Sequence, residues 1–287
     1  MTALPPEILT LDDVERLRAW AQRVETPCGE GAMVWHAWGD PAAAPVVLLH
    51  GGAGSWTHWV RNITPLVAAG RRVWVPDLPG FGDSAPPPTG HDADALPPWV
   101  EAGLERLVGD AACDVVTFSF GGMVGAFLAQ AHPARVRRLV LAGAPALSSV
   151  RRPPLDLRRW AHLPPGPERQ ATIRHNLMTL MLADEASAEP LALELHTENL
   201  VRDRMPLRRL ASTDVLLRTL PALRCPVHGI WGDHDALVRG ALDILEPALS
   251  QAPGFRGLTL LPGAGHWAPF EDAPGFNAAL AAALAGG

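Results

Sequence analysis

Val115-Val116-Thr117-Phe118-Ser119-Phe120-Gly121-Gly122 sets one serine at the junction between an apolar, β-branched run and a run of small residues. The first run predicts a strand buried on both faces, and Gly121 to Ala129 predicts a helix packed closely against it. The turn between them must be tight. A nucleophile elbow, G-x-S-x-G, holds its serine in a strained conformation at a helix N-terminus, which demands small residues two positions to either side. Gly121 meets the second demand, and Thr117 stands where the first glycine belongs. Taken alone, the stretch equally describes an ordinary strand-to-helix turn whose serine caps the helix.

Two later segments add weight to the first reading. Val227-His228-Gly229-Ile230-Trp231 runs into Gly232-Asp233-His234-Asp235, and Leu258 to Leu261 runs into Pro262-Gly263-Ala264-Gly265-His266-Trp267. Serine, aspartate and histidine thus follow in that order, each just past the C-terminal end of a candidate strand, where open parallel sheets gather functional side chains. Upstream, Val46 to Leu49 ends in His50-Gly51-Gly52-Ala53-Gly54, whose glycines let backbone N–H groups approach a ligand. A phosphate loop is the competing reading of such glycines. It is disfavoured, because the chain has no lysine for a Walker motif and no G-x-G-x-x-G.

The rest of the chain alternates between the two periodicities. A helix is predicted from the Thr10 cap to Trp20, strands over 33–38, 46–49 and 72–76, and a helix over 56–69. Such alternation implies an α/β fold with a mostly parallel, doubly wound sheet and helices on both faces. Asp77 to Ser84 reads as a glycine- and proline-rich loop near the site, and the prolines at 86–88 as an extended exposed connection. About 85 residues separate the strand at 138–142 from the strand at Val227, and helix-like spacing recurs over 172–182 and 191–200 between Pro164-Pro165, Pro190 and Pro206. Residues 148–215 are therefore expected to form a helical lid inserted between core segments 1–147 and 216–287, where they would exclude water and shape the substrate site. Helices that merely enlarge the core are the alternative.

On these residues the chain resembles the α/β-hydrolase fold superfamily across nearly its whole length. The order Ser…Asp…His is that superfamily's. Within it, residues 50–84 and 263–277 are similar to the hydrolases that cleave meta-ring-fission products at a carbon–carbon bond, with Arg61-Asn62-Ile63 and His266-Trp267 carrying the closer likeness. Those enzymes usually place Gly-Asn before the nucleophile, where this chain has Thr117-Phe118, and they use a lid arginine. The resemblance implies Ser119 as nucleophile, His266 as general base and Asp235 as the carboxylate that fixes the imidazole, with Asp233 left to stabilise its turn. It also implies an oxyanion hole from the N–H groups of Gly52 and Phe120. Gly51, Phe118, Trp56, Trp267 and Arg208 are the candidate substrate contacts; core packing for the aromatics, and solvation for Arg204, Arg208 and Arg209, are the alternatives. His50 is expected to tie loops together.

Composition removes several chemistries. A chain of 287 residues holds ample apolar material for a large core. A net charge of -6 without a basic run argues against nucleic acid, and no lysine or tyrosine is present for a Schiff base or a phenolic acid. Cys28, Cys113 and Cys225 have neither disulfide-framework nor zinc spacing, which fits a reducing cytoplasm. His58, His228 and His234 lack metal-ligand spacing, so neither metal nor cofactor is expected. Met1-Thr2-Ala3-Leu4-Pro5 does not open a signal peptide, and no stretch approaches the ~20 apolar residues of a membrane span. The expected partner is a small-molecule substrate, with a homodimer compatible. A cofactor-independent serine hydrolase, acting on an ester or a carbonyl-flanked carbon–carbon bond, is the leading expectation. A haloperoxidase or perhydrolase on the same scaffold, or a ligand-binding homologue with an inactive triad, are its rivals.

Overall fold

The computed structural model describes residues 7–148, 154–205 and 207–286. The readings made for Met1 to Pro5, for Pro206 and for 149–153 of the expected lid fall outside the described residues. Helix α1 (Leu11–Trp20) starts where predicted, with Thr10 and Asp13 forming a reciprocal capping box. Strands β1 (Gln22–Cys28) and β2 (Gly31–Trp38) form a hairpin. β3 (Pro45–Leu49), α2 (Val60–Ala68) and β4 (Arg72–Pro76) follow, and then α3 (Pro97–Val108), β5 (Cys113–Phe118), α4 (Phe120–Ala131) and β6 (Val136–Ala142). The helix expected from Trp56 begins instead as a tight 3-10 turn, Trp56–Trp59, because the Ser55 hydroxyl accepts the Thr57 N–H. Between β6 and the next strand lie α5 (Pro167–Leu180), α6 (Pro190–Val201) and the short α7 (Val215–Thr219). β7 (Val227–Gly232), α8 (Leu245–Leu249), β8 (Phe255–Leu261), α9 (Ala268–Glu271) and α10 (Ala273–Ala285) complete the chain.

The eight strands form one sheet in the order β1-β2-β4-β3-β5-β6-β7-β8, antiparallel at β1-β2 and β2-β4 and parallel elsewhere. Period-2 alternation divides the strand side chains between two cores. Val47, Leu49, Val115 and Leu139 face α3, α4 and α8, whereas Val46, Leu48, Val116 and Val140 face α1, α2 and α10. Both faces are thus covered, as parallel strands require. At the N-terminal end of β5 the buried Asp114 carboxylate is held by Arg71, Arg137 and Arg138. The C-terminal ends of β5, β7 and β8 are left to carry the loops that meet at the site.

Candidate active site

Ser119 lies between β5 and α4 with φ 49 and ψ -118, a conformation that costs an L-residue about 1–3 kcal/mol and persists only where its surroundings enforce it. Its N–H donates to Ala142 O at 2.8 Å, and its carbonyl accepts the Gly122 N–H at 2.8 Å. Gly121 is needed because a Cβ there would stand 2.5 Å from Leu49 O and 2.7 Å from His50 O. The Thr117 hydroxyl donates to Val140 O at 2.9 Å, and its methyl has room because the facing helix residue is Gly125, where a Cβ would fall 2.6 Å from Thr117 Cγ2. The small residue absent from the strand is supplied by the helix.

A hydrogen-bonded chain leads away from this serine. The Ser119 hydroxyl lies 2.9 Å from His266 Nε2, and His266 Nδ1 lies 2.9 Å from Asp235 Oδ2. An ionised carboxylate only accepts, so Nδ1 carries the proton and the Nε2 lone pair faces the hydroxyl. Asp235 is fully buried, and its other oxygen accepts the Leu237 N–H at 2.8 Å, which fixes its rotamer. Gly143, at φ 56 after β6, gives this pair its space: a Cβ would sit 3.2 Å from the His266 ring and 3.3 Å from Asp235 Oδ2. Asp233 takes the separate role expected of it. It accepts the Gly263 N–H at 2.7 Å and bonds the His234 ring at 2.6 Å, the second contact being what chiefly holds its carboxyl below the usual range.

The glycine loop after β3 is braced by two buried histidines. His50 Nε2 accepts the Leu78 N–H at 2.8 Å while its Nδ1 donates to Gly51 O at 2.7 Å, and burial lowers its pKa to about 4. His58 Nδ1 accepts the Gly51 N–H at 3.2 Å, and burial, followed by the neighbouring imidazoles, holds it well below the ordinary histidine range. Both rings are neutral. The N–H groups of Gly52 and Phe120 have no acceptor among the described residues; for Phe120 the reason is that it opens α4, where no preceding turn exists to receive its proton.

Above Ser119 opens a cavity of about 870 Å³, walled by Gly52, Ala53, Phe118, Phe120 and His266 from the core and by residues of α5, α6 and the segments flanking them. Several expected substrate contacts require correction. Trp56 is 2% exposed and packs with Trp38 and His36 in the core, off the cavity wall, while its backbone N–H donates to the Asp77 carboxylate at 2.8 Å. Trp267 is fully buried, stacks on Phe270 at 4.3 Å and donates its indole N–H to His58 O at 3.1 Å, so it supports the site from below. Gly51 spends its N–H on His58 and sits within close approach of Phe118 and Ser119, outside the cavity wall. Phe118 does reach the wall, with its ring 5.0 Å from that of His266. Arg208 also lines the cavity, over the Phe81 and Phe120 rings, and its Nη1 donates to both Asp203 oxygens at 2.9 and 2.7 Å. Arg204 binds loop carbonyls at Gly82 and Ser84 instead, and Arg209 is exposed.

His196 on α6 is a cavity residue that the sequence did not single out, as are the other wall residues of α5 and α6. Leu191, Ala192, Leu195, His196 and Asn199 form one buried stripe, and that spacing was the available signal. Among the described residues, no group of three or more His, Cys, Asp or Glu could hold a metal ion, the three cysteines are unpaired and buried, and no helix is long and apolar enough to cross a membrane.

Comparison with known proteins agrees with this architecture. Residues 44–177 match the alpha/beta hydrolase fold family. A 2-hydroxymuconate semialdehyde hydrolase of Pseudomonas sp. (strain CF600) is 32% identical over 206 residues, covering 66% of this chain and 70% of that protein. A 2-hydroxy-6-oxononadienedioate/2-hydroxy-6-oxononatrienedioate hydrolase of Cupriavidus pinatubonensis is 29% identical over 249 residues, covering 82% and 84% respectively. Among solved structures, carboxylesterase CesB of Bacillus subtilis superposes with a TM-score of 0.75 at 19% identity, covering 96% of each chain, a likeness of fold.

Proposed function

Because the chain belongs to the alpha/beta hydrolase fold family, we propose that it is a cofactor-independent serine hydrolase acting on an ester, or on a carbon–carbon bond flanked by a carbonyl, in a small organic molecule. Ser119 Oγ attacks the substrate carbonyl carbon while His266 Nε2 takes its proton, and Asp235 stabilises the imidazolium that results. The oxyanion is received by the N–H groups of Gly52 and Phe120, which are preorganised and need no rearrangement as charge develops. His266 then protonates the leaving group and activates the water that releases the acyl group. The observation that carries this reading is the continuous Ser119–His266–Asp235 chain, 2.9 Å at each link, starting from a strained serine on the floor of a cavity.

In this reading α5 and α6 serve as a lid, since Asn176, Leu180, His196 and Leu200 form much of the wall facing Ser119. Ester cleavage is the version the site supports best. Carbon–carbon cleavage of a dienoate calls for a cation that clamps the substrate carboxylate, and the charge of Arg208, which stands beside Gly52, is already offset by Asp203 through its Nη1. The activities for which the relatives are named favour the carbon–carbon version. Turnover of short nitrophenyl esters and of a ring-fission dienoate, each with wild type and Ser119→Ala, separates the two. Ester turnover that falls by about four to six orders of magnitude in the variant is expected. Ester turnover undiminished by the substitution contradicts the proposal.

A further inference from the structure

The polar groups of the cavity differ in what they have left to offer a ligand. Arg208 has its charge offset by Asp203, to which only its Nη1 donates, while its Nε and Nη2 make no hydrogen bond among the described residues and stand beside Gly52; the Asn176 amide is consumed at both ends, accepting the Arg158 N–H at 2.8 Å and donating to Arg158 O at 2.8 Å. Arg158 and Arg159 are exposed at the rim. His196 is the buried, uncharged group of this wall with no hydrogen bond at all among the described residues. It is 6% exposed and lines the cavity; its Nδ1 is fully buried without a partner, so Nε2 is the ring nitrogen that a molecule in the cavity can reach. Burial lowers its pKa to about 4, so the ring is neutral, with one N–H and one lone pair to satisfy.

The environment explains why this imidazole is informative. Its neighbours on the buried stripe of α6 are either apolar, as Leu191, Ala192 and Leu195 are, or satisfied, as Asn199 is by a 3.0 Å bond to Thr57 Oγ1. A leucine at 196 would continue the stripe at no polar cost, whereas an orphaned ring nitrogen carries a desolvation penalty that folding alone never recovers. His58 has an orphan of the same kind at Nε2, but its Nδ1 is committed to Gly51 and the ring lies outside the cavity wall. Most of the remaining wall is apolar, including Leu157, Leu180, Met181, Leu200 and Leu237.

We propose that His196 is the specificity residue of this cavity: its Nε2 hydrogen-bonds an uncharged oxygen of the substrate other than the carbonyl attacked by Ser119, so that the preferred substrates are uncharged and mostly apolar with one such carbonyl, ether or hydroxyl. This rests on Ser119 being the nucleophile. A carboxylate at that position would meet a neutral imidazole and no unpaired buried cation, and would lose its hydration without compensation. A carbonyl or hydroxyl exchanges a bond to water for a bond to the ring.

The test compares nitrophenyl esters of matched length: hexanoate, its 4-oxo and 5-oxo derivatives, and the half-ester of adipate. Wild type should favour at least one oxo ester over hexanoate by about tenfold or more in kcat/KM and disfavour the adipate, since a site built around a hydrogen bond discriminates against analogues that leave its polar group unpaired. His196→Leu should erase the oxo preference, bringing the ratio of oxo ester to hexanoate in kcat/KM to within about threefold of one, and His196→Gln, which keeps a donor and an acceptor, should retain part of it. Absence of any oxo preference in wild type overturns the inference, as does a parallel loss on all esters in both variants. Ester turnover without that preference leaves Ser119 chemistry standing. No turnover of any ester, together with no labelling of Ser119 by a fluorophosphonate, removes both.

Discussion

Gly125→Ala offers a sharp test of how this elbow accommodates Thr117. Alanine exceeds glycine in helix propensity by about 1 kcal/mol, so on α4 alone the substitution would stabilise. Against that, the new Cβ would stand 2.6 Å from Thr117 Cγ2 and 3.2 Å from Leu139 Cδ1, where carbon atoms prefer about 3.5–4.0 Å. Thr117 cannot simply rotate, because its hydroxyl is bonded to Val140 O across the β5–β6 pair. Overpacking of this kind costs about 1–3 kcal/mol, which leaves a net loss of about 0–2 kcal/mol, centred near 1, after the helix gain. Thr117→Ser removes the methyl and keeps the hydroxyl. In that background Gly125→Ala should become stabilising by about 0.5–1 kcal/mol, giving a coupling energy near 2 kcal/mol between the two positions. Urea unfolding of the four proteins reads this directly, provided the slopes agree. An equal effect of Gly125→Ala in both backgrounds would refute the steric account.

Other consequences follow from the same geometry. Asp235→Asn should leave the fold intact, as judged by circular dichroism and unfolding midpoint, yet lower kcat on a nitrophenyl ester by about 10⁴, because an amide does not enforce the Nδ1–H tautomer; a loss under tenfold would count against the hydrogen-bond assignment. His50, neutral and buried with its pKa lowered from 6.5 to about 4, stabilises the fold fully above pH 6.5 and loses that contribution as pH falls toward 4, by about 3 kcal/mol. Asp77, raised by burial to about 6, acts in the opposite direction over an overlapping range, so the His50 effect must be read as a difference. The gap in unfolding free energy between wild type and His50→Gln should therefore shrink from pH 7 to pH 4, and a constant gap would show that the ring is not held neutral.

The parts of the molecule legible in the sequence are those governed by local rules. β3 announces itself as an unbroken apolar run, β5 and β7 as mostly apolar ones, and Thr10 with Asp13 marks the start of α1. β1 was missed because Gln22 to Cys28 is an edge strand, polar on its exposed positions and containing Pro27, so it lacks the pattern of a buried one. Ser119, Asp235 and His266 each follow a strand end in a distinctive chain order, which is why the sequence pointed to the three side chains that the fold brings within hydrogen-bonding reach. The direction of Trp56 and Trp267 was not, since an aromatic in a loop carries no periodicity to say which way it faces. The pairing of Arg208 with Asp203 depends on a turn that brings the two together. Thr117 looked like a defect of the motif until Gly125 was seen across from it, a compensation between strand and helix that spacing alone does not reveal.

The measurement that bears most directly on a catalytic serine is fluorophosphonate labelling followed by peptide mass mapping. One phosphonyl group on Ser119 of the wild-type protein, absent from Ser119→Ala and strongly slowed in His266→Gln, is the expected result. Well-folded wild-type protein that takes no label, or takes it at another serine, would contradict the assignment.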